Sequence, residues 1–316
     1  MKKMKILNAS LILLLLAACS TLNPTPTQPA STPTTVILVT PATGVQYQYV
    51  TNKLVLPATR DQTLAFALNI DGDSKQSPDN KFGELLSLLT SAAPQLELQS
   101  TLDQAVNAGQ LVTLHMLQAD DFLSDPSVSW FLYLGQPTET APSFDGSDKF
   151  TLDTATPLDS PIIGSIINGR FTGGPGSARI RILVLGQQVE VDLIGVRLEA
   201  DVNQNGCVNG ILGGGVTAED FSSKILPAIA TGLNQLIKEN NAATPTLLQA
   251  FDSDNDKVIT TQELEKNPLL MLALSPDLDL LDSSGTFNPG QDGENESYSI
   301  GLGFTCVPAE FVVPEK

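Results

Sequence analysis

Apolar and polar residues alternate most clearly between Ile162 and Gly215, and this period of two predicts strands. Arg179 to Leu185, the turn pair Gly186-Gln187 and Gln188 to Ile194 predict one hairpin. Val196 to Val202 and Cys207 to Leu212, flanking Asn203-Gln204-Asn205-Gly206, predict a second. Val36 to Val39, Val45 to Leu56, Leu111 to Gln118 and Val128 to Leu134 read as further strands, being rich in β-branched and aromatic residues. Helical spacing marks Phe82 to Ala92, Leu98 to Ala108 ended by Gly109, and Ala218 to Glu239, capped by Thr217 and kinked at Pro227. Two shorter helices are predicted at Thr246 to Phe251 and at Gln262 to Leu274, the latter interrupted by Pro268. Pro137 to Pro161 is rich in Pro, Thr, Ser and Asp and reads as loop, and no repeat of 20 to 50 residues suggests a solenoid. The pattern predicts an α+β fold: an antiparallel β core over 110–215, arranged as a sandwich, with packed helices and a helix-loop-helix insert over 244–275, in one domain spanning 36–316.

The first residues have a different grammar. Met1-Lys2-Lys3-Met4-Lys5, an apolar run from Ile6 and the close Leu16-Ala17-Ala18-Cys19 make a secretory signal too short to span a hydrocarbon layer of about 30 Å. The block resembles the lipobox of bacterial lipoproteins, which implies removal of residues 1–18 and lipidation of Cys19. Residues 19–35 then form a Pro/Thr-rich tether, with Pro24, Pro26, Pro29 and Pro33 favouring extended backbone. The expected location is the cell envelope, with the lipid anchor in a membrane. Ser20 resembles the residue type that permits sorting to an outer membrane.

The chain has 35 acidic and 17 basic residues, and loss of the three signal lysines takes the net charge from −18 to −21. That field excludes nucleic acid as a partner and attracts cations. With Cys19 lipidated, Cys207 and Cys306 remain as an even pair; a bridge between them and two buried thiols are both open.

Asp252, Asp254 and Asp256 occupy positions 1, 3 and 5 of a twelve-residue loop, followed by Val258 at 7, Thr260 at 9 and Glu263 at 12. The loop resembles an EF-hand calcium loop. Ca²⁺ takes six to eight oxygens, so closely spaced carboxylates wrap one side, the Val258 carbonyl joins them and a bidentate Glu263 closes the other. Ile259 at position 8 is expected to pack inward. Position 6, where the backbone turns through positive φ and Gly is usual, holds Lys257, at a cost of about 1–2 kcal/mol. A second acidic loop, with Asn69, Asp71, Asp73 and Asp79, is a weaker candidate for a cation, against a helix start capped by Asp79 or Asn80. Asp277, Asp279, Asp282, Asp292, Glu294 and Glu296 read as a charged rim, and Asp201 to Gly206 as a hairpin turn.

Little points to catalysis. His115 is the only histidine and is expected to be a hydrogen-bonded structural residue, so a multi-histidine zinc site is excluded. No Gly-x-Ser-x-Gly elbow occurs. The clusters Gly173-Gly174-Pro175-Gly176 and Gly213-Gly214-Gly215 are expected in turns, and Arg170, Arg179, Arg181 and Arg197 in cross-strand ion pairs with Glu190, Asp192 and Glu199 rather than in an anion site. The lipobox, Leu54-Val55-Leu56-Pro57, Asn69 to Asp73, Asp79 to Gly83, the calcium-like loop, and Asp292 to Ser297 followed by Gly301 to Phe304 together resemble uncharacterised predicted bacterial surface lipoproteins. The expectation is a lipid-anchored, calcium-binding envelope protein, non-catalytic, with a structural role or a protein or envelope partner. The alternative is an extracytoplasmic hydrolase using paired carboxylates on a saccharide or peptide.

Overall fold

The computed structural model describes residues 44–73, 79–271 and 273–312. Cys19, the signal, the tether and the strand expected at Val36 to Val39 lie outside them. The two expected hairpins share one long strand. β6 (Arg170–Val184) turns through Leu185 and Gly186, both at positive φ, into β7 (Gln187–Asn203), which turns again into β8 (Gly206–Thr217). The Asn203 to Gly206 segment is thus the hairpin turn it was read as.

These strands belong to an antiparallel sheet with β1 (Val45–Val55), β2 (Thr113–Ala119), β3 (Ser124–Leu134), β5 (Ile162–Ile167) and β9 (Ser297–Pro308). The expected antiparallel core is therefore present, but its ladder is closed: the order β1-β2-β3-β5-β6-β7-β8-β9 ends with β9 paired to β1. Opposing walls face each other across the core as the layers of a sandwich would, without two separate sheets. The span 110–215 is too narrow for this core, because β1 and β9, near either end of the described chain, complete it.

Inward positions follow the period of two. Tyr49, Trp130, Phe171, Ile180, Val191, Leu198, Leu302 and Phe304 are buried together. The outer face differs by sector. On β6 and β7 it carries ion pairs, the reverse of the apolar exterior that a membrane-spanning barrel presents to lipid. On β1 to β3 it is covered by a short parallel pair, β4 (Lys149–Thr151) with β10 (Glu310–Val312), and Phe150 packs there with Val50, Leu114, Phe131 and Tyr133. β4 is the one strand in the segment expected to be loop.

On β8 and β9 the outer face is built from glycine. A Cβ on Gly301 would lie 2.2 Å from the Phe66 carbonyl oxygen and 2.7 Å from the Asn80 amide nitrogen, so only glycine lets the chain before α2 approach the wall. Gly213 to Gly215 thus sit inside a strand, not in a turn: overlying Leu68 and Leu280 need the space at Gly213 and Gly215, while Gly214 faces Leu193 and Val196. Gly173 to Gly176 likewise lie within β6, where the register shifts.

Helices pack over the barrel. α1 (Arg60–Ala65) starts with a Thr59/Gln62 capping box, α2 (Lys81–Ala92) is capped by Asn80, and α3 (Leu98–Asn107) stops before Gly109. After β8, Thr217 caps the short α4 (Ala218–Asp220); a π-helical turn, Phe221–Ile225, then leads into α5 (Leu226–Lys238), so Pro227 is accommodated in the first turn of a new helix. α6 (Thr244–Phe251) and α7 (Thr261–Lys266) follow. α7 is shorter than expected. Asn267, before Pro268, is extended at ψ 121, as a residue preceding proline must be.

Candidate metal centre

α6 and α7 frame the loop Asp252 to Thr260. α6 buries Leu247 and Phe251, and α7 buries Leu264. Ile259 is buried as expected, and its backbone is clamped from α5: its N–H donates to Asn234 Oδ1 at 2.8 Å, and Asn234 Nδ2 donates to its carbonyl at 2.7 Å. Asn234 lies 25 residues upstream, so no local motif reveals it.

This clamp holds a tight curl of carboxylates. Asp252 is only 8 % exposed; its Oδ1 accepts from the Asp256 N–H at 3.2 Å and its Oδ2 from the Lys257 N–H at 3.0 Å. Asp254 also accepts from the Asp256 N–H, and Asp256 accepts from the Val258 N–H at 2.7 Å. Asn255 and Lys257 take φ of 62° and 71°, so the left-handed backbone expected at the position usually given to Gly is adopted by a lysine. Asp252, Asp254 and Asp256 each place a carboxylate oxygen within 4.8 Å of the others'. Like charges at such separations repel by roughly 1 kcal/mol per pair in water and by a few times that near a protein surface. A divalent cation at their focus reverses the sign.

Glu263 stands apart from this triad. Its Oε1 accepts from the Ser253 N–H and hydroxyl at 2.7 and 2.9 Å, and its Oε2 from the Thr260 N–H and hydroxyl at 2.9 and 3.0 Å. The Thr260 amide first, with the Ser253 groups, holds its carboxyl down to about 2. Thr260 is correspondingly the α7 cap, its hydroxyl accepting from the Glu263 N–H at 3.2 Å. Val258, whose side chain is exposed and carries no donor atom, can offer only its backbone carbonyl as a ligand.

The second acidic loop is not a match to the first. Asn69 accepts from the Gly72 N–H and Asp71 from the Asp73 N–H, both as turn acceptors. Asp79, 5 % exposed, points inward and accepts from the Ile70 N–H at 2.7 Å. Among the described residues, the three-carboxylate convergence occurs only at Asp252, Asp254 and Asp256. Burial pushes Asp79 up to about 6, against the Ile70 hydrogen bond and with help from Asp71, Asp277 and Asp73. Its protonated form therefore favours the fold. That contribution is full below the ordinary value of 3.8 and is lost as pH rises through about 6. Asp79→Asn, which keeps an oxygen for Ile70, is expected to raise stability by about 1–3 kcal/mol at pH 7.5 and by far less at pH 4. Urea midpoints at the two pH values check this, and an equal gain at both contradicts it.

The carboxylates from Asp277 onward accept backbone N–H groups, Asp282 and Asp292 within turns and Asp277, Asp279 and Glu296 across 14 to 22 residues of sequence. Asp277 takes the Ser299 N–H, Asp282 those of Ser284 and Thr286, Asp292 that of Glu294, and Glu296 those of Leu280 and Leu281. Asp279 Oδ2 accepts from the Gly293 N–H, while its buried Oδ1 has no partner. His115 sits inside the barrel: Trp130 Nε1 donates to its Nδ1 at 3.1 Å, so Nε2 carries the proton and meets Thr51 Oγ1 at 2.6 Å. Burial lowers this imidazole to about 3, keeping it neutral and structural. Compared with family models, curated proteins and solved structures, the chain matches none of them.

Proposed function

We propose that this is a calcium-binding protein of the bacterial envelope, anchored through lipid on Cys19, in which the α6–loop–α7 unit is an EF-hand-like element and the ion braces the C-terminal helices. The role is structural or partner-binding rather than catalytic. The observation carrying this reading is the focus of Asp252, Asp254 and Asp256 within 4.8 Å, on a loop whose left-handed residues curl the backbone around that point. Such a loop with a strained sixth position suits the 10⁻⁴–10⁻³ M affinities of extracellular calcium modules. Glu263, at position 12 of the loop, is held beside Ser253 and Thr260, and on this reading its capping hydrogen bonds would be exchanged for the ion.

The test is thermal unfolding of the full chain with Ca²⁺ or with chelator, repeated on Asp254→Asn/Asp256→Asn. The asparagines keep the turn acceptors and remove two charges. Ca²⁺ at 100 times its dissociation constant is expected to add about 2.7 kcal/mol, or about 5 °C, to the native chain and little to the variant. Equal melting in all four conditions rejects the metal.

A further inference from the structure

Four arginines line the outer wall at Arg170, Arg179, Arg181 and Arg197, and three are answered by acids. Arg170 bonds Glu199 at 2.8 Å and Asp201 at 2.9 Å; Arg179 bonds Asp192 at 2.7 Å; Arg181 bonds Asp153 at 3.1 Å and also Glu190. Arg197 makes no ion pair among the described residues, and its one hydrogen bond runs from Nε to the Ile70 carbonyl at 3.3 Å. The register explains why. On one side Arg197 faces Gly213 of β8; on the other it faces the irregular stretch of β6 between Gly173 and Gly176, so neither neighbour offers a carboxylate. The missing side chains also leave room. A Cβ on Gly174 would lie 3.2 Å from Arg197 Cγ, so the arginine stem rests on that glycine.

The result is a cleft of about 300 Å³ on the outer face of β5, β6 and β7, lined among others by Asn69, Gly164, Thr172, Gly173, Arg197 and Glu199. Asn69 spends its oxygen on Gly72, which leaves its amide N–H₂ to donate. Glu199 is engaged by Arg170. Arg197 thus brings two Nη groups without a protein acceptor, beside an amide and a hydroxyl, in a chain whose other wall arginines are neutralised.

We propose that this cleft binds a small organic carboxylate, seated bidentately on the Arg197 guanidinium with Asn69 and Thr172 as flanking donors. The planar fork of a guanidinium matches a carboxylate. A single cation beside Glu199 suits a charge of −1 and disfavours a phosphate dianion. The site is separate from the calcium loop and does not depend on it.

The chain has five arginines, so selective ¹⁵N-arginine labelling of the full chain resolves each Nε–H. Sodium acetate replaces sodium chloride at constant ionic strength, and Arg197 is assigned by the resonance lost in Arg197→Lys. Its resonance is expected to shift and saturate, while that of exposed Arg60 drifts without saturating. Saturation transfer to the acetate methyl should fall at least ten-fold in Arg197→Gln, with unmoved Arg170, Arg179 and Arg181 resonances showing that the wall is intact. Should those resonances move, Asn69→Ala replaces that variant, with a several-fold loss expected. An Arg197 response no greater than that of Arg60, undiminished transfer in the variant used, or tighter saturation by inorganic phosphate each overturns the proposal.

Discussion

Asn80→Ala is expected to lower the stability of this protein by about 3–5 kcal/mol, far more than a helix cap alone contributes. As the α2 cap, Asn80 Oδ1 accepts from the Gly83 N–H at 3.0 Å, and it also accepts from the Gly301 N–H at 3.0 Å. Its Nδ2 donates to the carbonyls of Thr63 and Gly301, both at 3.2 Å. One buried side chain therefore joins α1, α2 and β9. A lost cap costs about 1 kcal/mol, and each buried backbone group left without a partner costs a further 1–3 kcal/mol, part of which water entering the space recovers. Urea unfolding measures the sum. A loss under 1 kcal/mol would show that water replaces all four bonds at little expense. Asn80→Asp, which retains only the acceptor, should fall between the two.

Replacing both Cys207 and Cys306 by alanine should remove about 4–5 kcal/mol. The two residues oppose each other across β8 and β9, are joined by a disulfide with Cα atoms 4.9 Å apart, and are 99 residues apart in sequence. Cross-linking so long a loop removes about 4–5 kcal/mol of chain entropy from the unfolded state on the loop-closure account. The double variant should therefore retain the native fold and unfold at lower urea with a steeper dependence, because its unfolded chain exposes more surface. An unchanged midpoint would mean that the unfolded chain already holds these strands close. Buried as they are, the sulfurs should resist reductant until the protein opens.

Local chemistry was legible in the sequence wherever the informative residues are neighbours. The carboxylates at 252, 254 and 256 focus because residues two apart in a curled loop must share a side, and the strands around Ile180 and Val191 announce themselves by alternation. β9 is not among the expected strands, although Tyr298, Ile300, Leu302, Phe304 and Cys306 alternate as cleanly. The reading of glycine as turn failed for two reasons: Gly173 to Gly176 lie at a register shift inside β6, and at Gly213 and Gly215 the demand is for space beneath an overlying segment, which depends on contacts far away in sequence. Asn80 acts on Gly301 over 221 residues and Asn234 on Ile259 over 25, both beyond any local motif. Arg197 differs from its three siblings through a register shift in β6 on one side and Gly213 on the other, and composition cannot convey that.

The pairing of β1 with β9 sets a timetable for the molecule. The first strand cannot find its second neighbour until Gly303 to Pro308 has emerged, so during synthesis the wall stays incomplete. A polypeptide ending short of β9 would leave β1 and β8 with rows of unsatisfied amides, open to recruitment by a second molecule and hence to aggregation.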